Sequence, residues 1–191
     1  YPPLPGVIPW VEVWIYVYFK KELYMPAETI YFDRSQSNLS AIEGLVRSAI
    51  ADKLTSTDPN AIVINQPEEY TPTSGDQELF PLGLNTVVLV TNKTGFDVLK
   101  RPVKVIYHRI SVDELIASRS PTATLQMPKG TEFTEGNILS FVASQLGIDN
   151  FPEMIHVHVD GGIATANIDA DMDGTNYVFV GSSKVTVEKA K

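Results

Sequence analysis

The spacing of apolar and polar positions changes several times along the chain, and each change marks an element. Val11, Val13, Ile15 and Val17 alternate with Glu12, Trp14, Tyr16 and Tyr18 up to Phe19, the period of two that predicts a β-strand. Trp10, Trp14, Tyr16 and Tyr18 share the second face, so both faces are largely apolar. The strand is therefore expected to be covered on both sides, and these four aromatics are candidate contacts with another chain or module. Ahead of it, Tyr1–Pro9 (YPPLPGVIP) holds four prolines and is expected as an extended arm, because proline fixes φ and removes a backbone donor.

From Leu39 the spacing becomes three and four. Leu39, Ile42, Leu45, Val46, Ala49, Ile50 and Leu54 predict an amphipathic helix, with Ser40-x-x-Glu43 as a capping box and Asn38 as an alternative cap. A polar stretch, 55–81, holds one short expected strand, Ala61–Ile64. Strands are predicted next at Thr86–Thr91 and Val103–Ile110. A second helix opens at Thr134, turns Ile138, Phe141, Val142 and Leu146 inward, and stops at Gly147, where a C-cap glycine belongs. Beyond Pro152, strands are expected at Met154–Val159, Ile163–Ala170, Tyr177–Val180 and Ser183–Glu188.

Helix, strand, loop, strand and closing strand thus occur twice. Laying Val98–Tyr107 on Val178–Val187 brings Lys104 onto Lys184. The expected architecture is α+β: an N-terminal arm and β segment (1–37), a first repeat module (38–112), a linker (113–133) and a second repeat module (134–191). Each module is a helix with a small antiparallel sheet, and the two are expected to share one topology.

Composition narrows the functional classes. A net charge of −8 and a pI of about 4.8, with no basic cluster larger than Lys20-Lys21 or Lys100-Arg101, disfavour nucleic acid as a partner. No cysteine is present, which removes disulfides and thiolate chemistry. No apolar run is long enough to span a bilayer as a helix, and no signal peptide is visible, so no membrane partner is expected. The missing initiator Met suggests a processed chain or a piece of a longer one.

Three short stretches then bear on identity: Gln145-Leu146-Gly147-Ile148, Val103-Lys104-Val105-Ile106-Tyr107-His108-Arg109 and Gly181-Ser182-Ser183-Lys184-Val185-Thr186-Val187. Over roughly Leu39 to Val187 this pattern resembles repeat modules in virion structural proteins of large tailed bacteriophages. The first copy departs from it, with a longer loop and no glycine at the helix end. The resemblance implies a virion part (capsid decoration, neck or tail component) acting through protein–protein contacts, with other virion proteins or copies of itself as partners. Its expected location is the virion, assembled in the host cytoplasm. The alternative is a surface-displayed binding module, for adhesion or carbohydrate, on a fibre or cell surface.

Candidate chemistry is sparse. Ile155–Asp160 alternates so that His156, His158 and Asp160 point to one side of a strand, and a His-x-His pair can offer two imidazoles to a metal. Asp169-x-Asp171-x-Asp173-Gly174 matches the first half of an EF-hand loop, but the twelfth position is Val180 instead of the bidentate Glu. These five residues, His156, His158, Asp169, Asp171 and Asp173, are the metal candidates, for calcium or another ion; otherwise no cofactor is expected. No phosphate loop, His-Glu-x-x-His or Gly-x-Ser-x-Gly occurs, and no catalytic residue is assigned. The chain is expected not to be an enzyme.

Overall fold

A computed structural model describes residues 38–71, 85–171 and 175–191 in full, and the backbone of 10–13, 15–19, 22–24 and 30–33. The chain is a mixed α+β protein. It begins with β1 (Trp10–Val13), β2 (Ile15–Phe19), β3 (Glu22–Tyr24), β4 (Ile30–Asp33) and α1 (Asn38–Ala49). There follow β5 (Ile62–Ile64), β6 (Glu68–Glu69), β7 (Thr86–Asn92), β8 (Val103–Tyr107) and β9 (Ile110–Ser111). The rest is α2 (Val112–Arg119), β10 (Thr124–Gln126), α3 (Glu135–Leu146), β11 (Ile155–Asp160), β12 (Ile163–Asp169), β13 (Phe179–Val180) and β14 (Ser182–Glu188).

The first sheet runs β3-β2-β8-β7-β5, with β6 also on β7, and every neighbouring pair is antiparallel. Its inner face is set by alternation: Val88, Val90, Val103 and Val105 are buried while Leu89 and Lys104, paired between them, are exposed. Onto this face α1 lays Ile42 and Val46, and Ile50, the residue after its end, continues the same stripe at a spacing of four. Removing each such side chain from water is worth about 1.5–3 kcal/mol, so this stripe holds the helix far more than its propensity does.

The second sheet runs β10-β14-β12-β11, with β10 parallel to β14 and the other pairs antiparallel. Val185 and Val187 on β14, Ala164, Ala166 and Ile168 on β12, and Ile155 on β11 turn inward beneath α2 and α3. Thr134 caps α3 by accepting a hydrogen bond from Asn137 N–H, and Gly147 ends it at φ 69°, a left-handed conformation that glycine enters at little cost.

In each sheet a helix is followed by three antiparallel neighbours in chain order, β5-β7-β8 after α1 and β11-β12-β14 after α3. Lys104 lies opposite Leu89 and Lys184 opposite Asn167, and both lysines are exposed; the shift of 80 that superposes the lysines carries Leu89 onto Asp169, so the two pairings differ by two residues. A fourth strand flanks the closing strand in both sheets, but β2 runs antiparallel to β8 whereas β10 runs parallel to β14.

Three expectations change. The stretch 10–19 is divided: β1 pairs with β4, while β2 pairs with β8 and β3 in the first sheet. The segment expected as a linker, 113–133, contributes most of α2 and all of β10, and Leu115, Ile116 and Met127 are buried in a core cluster that continues through both sheets. Asn38 takes φ 44° at the start of α1 and turns its amide away from that helix, to the loop at 175–177.

Candidate functional site

The sequence candidates do not converge on one place. Trp10 lies in β1 and Tyr16 and Tyr18 in β2, while Trp14 and the side chains of this whole segment lie outside the described residues. Tyr16 is in register with Ile106 and Tyr18 with Lys104. With β3 on one side and β8 on the other, β2 is an interior strand, so both of its hydrogen-bonding edges are used within the chain.

His156, His158 and Asp160 sit as the alternation requires, all exposed on the outer face of β11, with Ile155 buried and Val157 and Val159 half-buried on the inner face. Across the sheet they face Asn167, Thr165 and Ile163. Asp169 ends β12, and its carboxylate accepts a hydrogen bond from Asp171 N–H at 2.9 Å, an Asx turn within the acidic run. Asp173 lies outside the described residues. Among the described residues no three His, Asp or Glu side chains come together as a metal cluster, and no helix is long and apolar enough to cross a membrane.

A concentration of polar contacts that the sequence did not single out joins the two sheets. Arg109, only 8% exposed, donates from Nε to Thr86 Oγ1 at 2.8 Å and from a terminal nitrogen to the Asn176 carbonyl at 3.0 Å. Asn85 holds its backbone from both ends, accepting from Arg109 N–H at 2.8 Å and donating to its carbonyl at 3.0 Å. Next to it, the Tyr107 hydroxyl donates to the Tyr177 carbonyl at 2.6 Å. Tyr177 in turn reaches the Ile64 carbonyl through its own hydroxyl, and its N–H is received by Asn38. The Asn176 side chain folds the loop on itself by accepting from the N–H groups of Val178 and Phe179. A short parallel pairing of β9 with β13 completes the seam.

Electrostatics at the seam follow from burial. Removal from water pushes the Tyr107 phenol far above its ordinary range, with the Arg109 guanidinium pulling the other way and Tyr177 adding to the rise. Burial raises Tyr177 as well. A neutral phenol that only donates, and a guanidinium whose described bonds go to a hydroxyl and a carbonyl, hold chain against chain. The signal in the sequence is Arg109 itself, a charge directly after the run 103–108, but its partners lie 23 and 67 positions away.

Two open hollows lie beside α1. One, of about 580 Å³, is lined by Arg47, Ser48, Ala51, Leu54 and residues 55–57. The other, of about 240 Å³, runs between α1 and β5 past Leu39, Glu43, Ile62 and Lys93. Arg47, which lines both, is held by Glu43 at 3.2 Å and by the Pro59 carbonyl. Comparison with protein-family models, curated proteins and solved structures finds no match to the chain.

Proposed function

We propose that the chain is a structural or assembly part of a tailed-phage virion, such as a capsid-decoration, neck or tail component. It works through contacts with other virion proteins or with copies of itself and resides in the particle after assembly in the host cytoplasm. On this reading it is not an enzyme, carries no cofactor, and engages neither nucleic acid nor membrane. The two sheets are two copies of one repeat module, modified at the fourth strand.

The observation that supports this reading most is the recurrence of one order, a helix followed by three antiparallel strands, with an exposed lysine, Lys104 or Lys184, on each closing strand. Series of such units are the pattern on which the likeness to phage structural modules rests. The acidic surface, at net charge −8, fits docking to proteins better than to phosphate backbones. The test is mass spectrometry of purified particles of a tailed phage whose genome encodes the chain. A fixed copy number that survives high-salt washing is expected; absence from the particle would sink the proposal.

A further inference from the structure

Strand β11 ends the order of the second sheet, and no described strand pairs with its outer edge. Its pairing with β12 runs without a bulge through all six residues, Ile155 to Asp160. Of the usual protections of an open edge, β11 has no proline, no lysine and no bulge, is six residues long, and carries a single charge, Asp160, at its end. From this edge we infer that β11 pairs antiparallel with β11 of a second copy of the chain, joining two second sheets into one. The inference rests on the assembly reading above and deepens it by naming the surface and the partner.

What selects a second copy is self-complementarity on both faces of the strand. With the two-fold axis at His158, His156 of each copy lies opposite Asp160 of the other, giving two imidazole–carboxylate pairs on the outer face. In the same register Val157 of each copy lies opposite Val159 of the other on the inner face. Both valines are only half-buried in the single chain, and the second copy covers what remains exposed. A shift of one residue would set imidazoles against valines, so the alternation itself fixes the register to even steps. The overlap ends where β11 turns into β12 through Gly161, at φ 64°, and Gly162, neither of which presents a side chain to obstruct the neighbour.

The opposing term is the net charge of −8 on each copy, which weakens association at low salt and is screened at moderate salt. Sedimentation velocity on the whole chain at moderate salt, across a concentration series, reads the equilibrium. A reversible dimer is expected. Asp160→Lys, at an exposed position, should weaken it by about tenfold or more because both pairs are lost at once. Adding His156→Glu to Asp160→Lys restores opposite charges in the same register and should bring the dimer back to within about threefold of the parent. A monomer at every concentration overturns the inference, as does a dimer that Asp160→Lys leaves unchanged or that the charge swap fails to restore. None of these outcomes touches the presence of the chain in particles, which is read separately by the mass spectrometry above.

Discussion

Replacing Tyr107 by Phe keeps the ring in the core and removes only the hydroxyl that donates to the Tyr177 carbonyl at 2.6 Å. At neutral pH the loss of this bond, with a buried carbonyl left without its donor, should cost about 1–3 kcal/mol. The pH dependence is a sharper test. Burial holds the folded-state pKa of Tyr107 above that of the unfolded chain, so the folded protein keeps a proton there that the unfolded chain releases near pH 10. This group's contribution is therefore complete below that pH and declines as pH rises above it. A phenol that stays fully protonated in the fold would cost about 1.4 kcal/mol of stability between about pH 8 and pH 11. Urea unfolding of the parent and of Tyr107→Phe across that range should give curves that converge at high pH by about this amount, since groups remote from Tyr107 titrate alike in both and Tyr177 is the one coupled neighbour. Two parallel curves, or a variant as stable as the parent at neutral pH, would refute the account of the seam.

Gly147→Ala should lower stability by about 1 kcal/mol in thermal or urea unfolding, because alanine meets a steric penalty at φ 69° where α3 ends. Asn38→Ala removes both amide contacts to the 175–177 loop and should cost about 1–3 kcal/mol, with hydrogen exchange at Tyr177 N–H accelerated in the same variant. Calorimetry with calcium should show no micromolar site, and Asp171→Ala should leave the thermogram unchanged, because the loop lacks the twelfth-position carboxylate and Asp169 already accepts from Asp171 N–H.

Elements that could be read from the chain share one property: their signals are local. Helix α3 carries both its stop signs in sequence, Thr134 and Gly147, and its start and end fall where those residues place them. Strands β11, β12 and β14 carry alternation and β7 a β-branched apolar run, and all four lie within a residue or so of their expected bounds. Helix α2 is hidden in the sequence because it is two turns long and follows directly on the strand run that ends at Ile110. Its signal was nonetheless present, since Ser111-x-x-Glu114 is a capping pattern and Ser111 Oγ accepts from Glu114 N–H. Strand β10 is three residues with no period to detect. The seam has only one local sign, Arg109, and nothing near it in sequence names its partners. Asn38 reads as a helix cap in sequence, yet its partners are 137 and 139 positions away, and only the closed fold shows where its amide goes.

That seam bears on why two sheets with separate helices fold as one body. The apolar cluster supplies most of the energy across the junction, through residues such as Tyr107, Ile110, Leu115, Val178 and Phe179, with Phe179 meeting Phe151 edge-to-face at 5.1 Å between ring centres. Apolar contact alone is weakly directional and would allow the sheets to slide or rotate against each other. The bonds from Arg109, Tyr107, Asn38 and Asn85 are directional, and among the described residues no buried side-chain polar atom is left without a partner. A shifted orientation would strand several of these groups together, at a cost of about 1–3 kcal/mol each. The polar contacts therefore select the angle between the sheets while the apolar ones stabilise the contact. For a chain proposed to pair through β11, whose preceding residues Phe151 and Met154 meet Phe179 and Asn176 of the seam, that selection matters beyond stability. Any freedom at the seam would be carried outward to the edge on which the next copy docks.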